Sequence, residues 1–222
     1  MFVDQPPDCT PLVEQTRHWP ASGSKDDVRR FLELSGQRRD CERLSQAGWS
    51  TITEVAESGR QVRRASFEEG RLAFRVPAVE LERSSLGTVE VRLSIDRPVR
   101  VFSAQVPAEI WGDLTAEDTV ARQPRPPTLG AKPDPSVVFC HGWFVTLEAA
   151  DEHQSWVRAA HQCQATDGPA VDYGMELAQI AIEFIPHCTK AKSEMDGRPP
   201  AEENVLWALI SCAGRAGPKF LD

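Results

Sequence analysis

An α+β fold is what this sequence predicts, on the strength of two changes in hydrophobic period and one break in composition. Apolar residues recur at helical spacing from Val28, alternate at period two between residues 71 and 96, and return to helical spacing after residue 148. Between the last two regions, residues 121–136 carry five prolines. The reading is an antiparallel β-meander with an N-terminal helical arm, followed by a C-terminal strand plus three helices packed on the sheet. It divides into residues 1–120 (helix plus sheet), a Pro-rich connection at 121–135, and a strand and helical C-terminal part at 136–222, either one domain with the sheet or separate from it.

Taken in order, residues 1–23 contain Pro6, Pro7, Pro11 and Pro20 and read as an extended arm. Ser24 with Asp27 three residues on resembles a capping box, Val28, Phe31 and Leu32 form one helical face, Gly36 is placed to interrupt it, and Gly48 to stop it. Period two then governs. Leu72, Phe74 and Val76 alternate with Arg71, Ala73 and Arg75, Val79 and Leu81 with Glu80 and Glu82, and Val89, Val91, Leu93 and Ile95 with Glu90, Arg92, Ser94 and Asp96. Turn residues between these runs predict four or five strands, apolar on one face and wet on the other.

Residues 137–145, Val-Val-Phe-Cys-His-Gly-Trp-Phe-Val, read as a strand buried on both faces. The spacing of Trp156, Ala160 and Cys163 predicts a helix over 148–165, stopped by Asp167-Gly168-Pro169. A helix over 172–185 keeps Glu176, Gln179 and Glu183 as its polar stripe, with Ile180 and Phe184 inaccessible opposite, and ends at Pro186. A last helix spans 205–213, closed by Gly214.

Charge and cysteine content narrow the function classes. Net charge is −8, divided as −1 over residues 1–112 (16 − 17) and −7 over 113–222 (9 − 16). A nucleic-acid footprint needs clustered positive charge, so nucleic acid is not an expected partner. No apolar run approaches the roughly 18 residues of a membrane span, and the first residues lack the basic and apolar regions of a signal peptide. Six cysteines, Cys9, Cys41, Cys140, Cys163, Cys188 and Cys212, contain no Cys-x-x-Cys pair, which argues against a zinc ribbon or a dithiol redox motif. All six are disulfide candidates. A bond between Cys9 and Cys41 would tie the arm to the first helix, because both sit in polar settings where a free thiol gains little from burial. These features favour a periplasmic or secreted location, with a cytoplasmic one as the alternative.

Candidate site residues are few. The run Cys140-His141-Gly142-Trp143 after an apolar strand resembles the His-Gly-Trp segment of α/β-hydrolases, in particular the cofactor-free haloperoxidase-like branch. That resemblance implies a backbone N–H for an oxyanion hole. The chain departs from it in having no Gly-x-Ser-x-Gly elbow. Cys140 and His141 point to opposite faces of a strand, so a thiol–imidazole pair requires a distant His such as His187. Glu176 and Glu183 could form paired carboxylates, and Glu183 lies four residues before His187. His153 and His161, sharing a helix face through Val157, are about 12 Å apart and too distant for one zinc ion. No metal and no cofactor are expected. Trp19 and Trp49, beside polar stretches, are the surface-binding candidates.

The function these observations favour is a non-enzymatic, disulfide-stabilised binding protein for a protein or small-molecule partner. The alternatives are a small hydrolase-like enzyme using Cys140–Trp143 with a distant His, and a cytosolic ligand-sensing domain with a pocket between sheet and helices.

Overall fold

A computed structural model describes residues 7–18, 24–69, 78–95, 100–123, 142–152, 154–195 and 202–212. The fold is α+β, built on a six-stranded antiparallel sheet in the order β4-β3-β2-β1-β5-β6. The strands are β1 (Gln61–Glu69), β2 (Ala78–Arg83), β3 (Val89–Ile95), β4 (Arg100–Val106), β5 (Trp143–Asp151) and β6 (Gln154–His161). The first four make the expected meander. β5 and β6 form a hairpin that pairs with the free side of β1, so the C-terminal part of the chain completes the same sheet.

Among the described residues, three helices precede the sheet. Pro11 sits in the first turn of α1 (Thr10–Gln15), where a missing N–H costs nothing, so the arm is helical here rather than extended. The longer α2 (Lys25–Ala47) starts at Ser24, whose Oγ accepts from the Asp27 amide, and runs through Gly36 without a break. It stops at Gly48, whose φ of 71° is a left-handed conformation that glycine adopts without strain. Cys9 and Cys41 are disulfide-bonded with Cα atoms 5.7 Å apart, which fastens α1 to α2 as the sequence suggests. A full capping box of Thr51 and Glu54 then opens α3 (Ile52–Glu57).

Each face of the sheet has its own cover. The inner face presents Ala65, Phe67, Val79, Leu81, Val89, Val91, Leu93, Val145 and Leu147, all buried. Against it lie α6 (Gly168–Phe184), which touches all six strands, and α8 (Glu202–Cys212), with α7 (Thr189–Met195) between them in sequence. Gly174 is what lets α6 approach: a Cβ there would lie 2.6 Å from Val145 Cγ1. Cys188 and Cys212 are disulfide-bonded across the ends of this layer, and Cys163 is disulfide-bonded as well. After β4 come α4 (Ala108–Ala116) and α5 (Asp118–Arg122), which bring Trp111, Leu114 and Ala121 into the same core. The outer face is covered at one end by α3, through Ile52, Val55 and Ala56 on Val62 and Ala150. Leu44, Ala47 and Trp49 close over Ala78 beside it.

Several expectations need correction. Residues 148–165 are strand β5, a turn and strand β6, not a helix. Trp156 and Ala160 share a face at period two as well as at period four, and the charged Arg158 between them hides the alternation. Gly168-Pro169 opens α6 instead of stopping an earlier helix, because proline is tolerated in a first turn. The segment ending at 145 is not buried on both faces: Trp143 and Val145 point inward, while Phe144 is 47% exposed. Phe184 is only half-buried, although Ile180 is buried as expected. Helix α5 continues to Arg122, into the segment read as irregular connection. The remainder of that connection, the Leu72–Val76 alternation, residues 137–141 and the stop at Gly214 lie outside the described residues.

Candidate functional site

Two polar clusters sit back to back across β1. On the outer face, one row of paired residues crosses four strands with alternating charge. Arg92 of β3 stands opposite Glu80 of β2, Glu80 opposite Arg64 of β1, and Arg64 opposite Glu148 of β5. Cross-strand neighbours of opposite sign attract, and this row never places like charges side by side. The Arg64 Nε donates to Glu80 Oε2, Glu80 Oε1 lies 3.1 Å from Arg92 Nη1, and Arg64 Nη1 lies 4.0 Å from Glu148 Oε2.

The next row does oppose two like charges, Glu82 and Glu90. Arg60 answers this with a two-pronged contact to Glu82, Nε to Oε1 at 2.8 Å and Nη2 to Oε2 at 2.9 Å, and Arg92 reaches both glutamates.

The middle of this outer face is not wet. Arg64 and Glu80 are 0% exposed, because Trp49 lies over the Arg64 guanidinium at 4.7 Å and the Ser50 carbonyl accepts from Arg64 Nη1 at 2.8 Å. Trp49 is therefore a buried lid on a cation rather than the surface-binding residue its polar neighbours suggest. Among the described residues, Arg64 Nη2 and Ser66 Oγ make no hydrogen bond.

The inner-face cluster centres on Arg63, and all of its N–H groups are used. Nε donates to both Asp118 oxygens at 3.0 Å, and Nη2 donates to Asp118 at 2.5 Å and to Asp151 at 2.9 Å. Nη1 donates to the carbonyls of Val62 at 2.9 Å and Ala150 at 3.0 Å. The five donors of a guanidinium are thus all spoken for. Burial works against the Arg63 charge, but its hydrogen bonds to Asp118 and Asp151 outweigh this and hold its pKa above the ordinary value. The Tyr173 hydroxyl donates to Asp118 at 2.7 Å, and burial together with that carboxylate pushes its pKa far upward. Trp111 covers the Arg63 guanidinium at 5.0 Å.

The other expected site residues fall apart. Cys140, His141, His153 and Trp19 lie outside the described residues. Glu183 Oε1 pairs with Lys192 Nζ at 2.9 Å, and the His187 ring stacks flat on Phe102 at 4.0 Å, so each has a partner other than the one proposed. Glu176 is half-buried, and burial, then Glu117 and Asp113, raises its pKa. His161 belongs to β6, not to a helix. Its Nδ1 accepts from the Cys163 amide at 3.3 Å, and its ring leans on Phe144 at 4.3 Å. Cysteines 9, 41, 163, 188 and 212 are disulfide-bonded and offer no thiol.

The described residues include no group of three or more His, Cys, Asp or Glu arranged to hold a metal ion, and no helix long and apolar enough to cross a membrane. No protein-family model, curated protein or solved structure matches this chain.

Sequence reasoning missed both arginine clusters. The available signal was the pair Arg63-Arg64 inside an otherwise strand-like run, with Glu80, Glu82 and Arg92 at the polar positions of neighbouring strands. On a sheet face expected to be wet, Glu80, Glu82 and Arg92 gave no hint of burial.

Proposed function

We propose that this chain is a non-enzymatic binding protein of an oxidising, extracytoplasmic compartment, stabilised by its disulfides. The observation that carries the reading is the saturation of Arg63. An arginine or carboxylate that serves a reaction keeps an edge directed at the substrate, whereas Arg63 spends every donor on Asp118, Asp151 and two backbone carbonyls. Glu80, at the centre of the outer row, gives Oε2 to Arg64 and faces Arg92 as an ion pair through Oε1, which makes no hydrogen bond among the described residues. Charges used this way fix strand register and hold helices on the sheet. The disulfides Cys9–Cys41 and Cys188–Cys212 support the compartment, since such bonds persist where thiols are not kept reduced.

The experiment is to isolate the protein from its source with thiols blocked before lysis, then measure its intact and native masses. Cysteines that escape blocking because they are in disulfide form, together with a stoichiometric partner or ligand in the native spectrum, support the proposal. Alkylation at all six cysteines overturns the compartment. A substrate turnover abolished by His187→Ala in a folded protein overturns the non-enzymatic reading in favour of the hydrolase-like one.

A further inference from the structure

We propose that the Cys9–Cys41 bond is a reducible latch: a dithiol reductant opens it and frees the N-terminal segment from α2 while the sheet and its helices stay folded. This goes beyond the binding reading and does not depend on it. Helix α1 is six residues long and none of them is buried. A helix of that length has no stability of its own in water, since nucleation costs more than so few hydrogen bonds return. Its position therefore rests on what fastens it. Besides the disulfide, α1 is held through its half-buried Leu12 and Val13 and through Thr16, just past its end, which is buried and whose Oγ1 accepts from Arg38 Nη1 at 3.3 Å. Cys9 is also the residue from which the helix starts, its carbonyl accepting from the amides of Leu12 and Val13 at 3.1 and 3.0 Å. Losing the bond loosens the start of α1 along with its attachment.

Access separates this bond from Cys188–Cys212. Cys9 and Cys41 are both half-buried, whereas Cys188 and Cys212 are buried in the core. Thiol–disulfide exchange requires a thiolate to reach a sulfur, so accessible bonds open first. In the step, one thiolate of the reductant attacks the Sγ of Cys9 or Cys41. The S–S bond breaks, the other cysteine leaves as a thiolate and takes up a proton, and a mixed disulfide forms. The second thiol of the reductant then displaces the bound cysteine. Two electrons and two protons pass to the chain, and the reductant becomes a disulfide. Release of residues 7–18 uncovers the face of α2 around Arg38, Cys41 and Glu42.

The test is graded dithiothreitol on the full native chain, quenched with iodoacetamide and mapped by peptide mass, with hydrogen exchange in parallel. The expected result is alkylation of Cys9 and Cys41 at reductant levels at least about tenfold below those that open Cys188–Cys212. Amides of α1 should lose protection while those of β1–β3 keep theirs. The double variant Cys9→Ser/Cys41→Ser should show the same exchange pattern without reductant. Opening of Cys188–Cys212 first or at the same level overturns the latch. So does an α1 that stays protected after Cys9 is reduced, or in the double variant.

Discussion

Arg63 and Arg64 are consecutive on β1, point to opposite faces of the sheet, and are both buried beneath a tryptophan, Trp111 over Arg63 at 5.0 Å and Trp49 over Arg64 at 4.7 Å. Strand geometry forces the divergence, since successive side chains alternate. The two sites differ in how completely they are satisfied. Arg63 has a partner for every donor, while Arg64 keeps an Nη2 without a hydrogen bond among the described residues. That difference makes their substitutions distinguishable.

Removing one member of the inner cluster should be expensive. Asp118→Ala strips two donors of Arg63 and the Tyr173 hydroxyl of their acceptor, in a place where water has little access. Breaking a buried pair from one side costs about 3–5 kcal/mol. Urea titration should show that loss, and a change under ~1 kcal/mol would mean that solvent replaces the carboxylate there.

The outer row offers a double-mutant test. Glu80→Gln alone leaves Arg64 and Arg92 short of a carboxylate and should cost about 3 kcal/mol or more. Arg64→Met with Glu80→Leu removes both charges and fills similar volume, so the pair should recover part of that loss, with Arg92 still short of Glu80 and Glu148 without Arg64. If the double variant is as unstable as the sum of the singles, the two residues act independently.

Packing of α6 hangs on Gly174. Ala at this position drives a methyl group into Val145, also close to Phe67 and Leu147, and should cost about 1–3 kcal/mol by overpacking. Adding Val145→Ala to it should restore part of the stability in a thermal melt.

Glu176 predicts a pH dependence with a definite sign. Its pKa is raised in the folded chain from an ordinary 4.5, so the fold disfavours its ionised form. Above the raised value it is ionised folded and unfolded alike, and the penalty is fully present. As pH falls through the raised value the folded form takes up a proton and the penalty fades, and below the ordinary value it is gone. Glu176→Gln should therefore raise Tm at pH 7, and the advantage should vanish as pH drops below about 4.5. An advantage that persists at low pH would assign the effect to packing.

The two known disulfide pairs should differ in thermodynamic weight. Opening Cys188–Cys212 by Cys188→Ala/Cys212→Ala frees a loop of 24 residues within the core and should cost about 3–4 kcal/mol. Cys9→Ser/Cys41→Ser acts on a helix with no buried residue and should shift global stability by under about 1 kcal/mol. Guanidinium titration of both variants compares them directly.

What was legible in the sequence follows from what local pattern can carry. Strand β3 has one apolar and one polar face, so Val89, Val91 and Leu93 announced their burial. The ends of α2 carry their own capping chemistry in Ser24 and Gly48. Strand β1 did not declare itself, because it is buried on both faces and each face holds an arginine, which erases the hydrophobic period. The hairpin β5–β6 was misread for a related reason: Arg158 points into the layer beneath the sheet, donating to the Ala121 carbonyl at 2.7 Å and to Asp167 at 2.9 Å. Asp167 lies nine residues past Arg158, beyond the strand itself, while the acids that make Arg63 and Arg64 tolerable are farther off, Asp118 55 residues and Glu80 16 residues on. The same holds for Trp49, whose polar neighbours say nothing of Arg64 15 residues on (64 − 49). No local window contains that information.

The place of β1 in the sheet has a consequence for how the chain comes off the ribosome. One flank of β1 is taken by β2, which follows closely, but the other waits for β5, which begins 74 residues after β1 ends (143 − 69). Until Trp143 emerges, a strand destined for the middle of the sheet is an open edge, with Ala65 and Phe67 uncovered by α6 and the Arg63 guanidinium without Asp151. The nascent meander is thus held in its least protected form while those 74 residues are made. Fragments that end upstream of β5 should collect as aggregates rather than as a smaller folded protein.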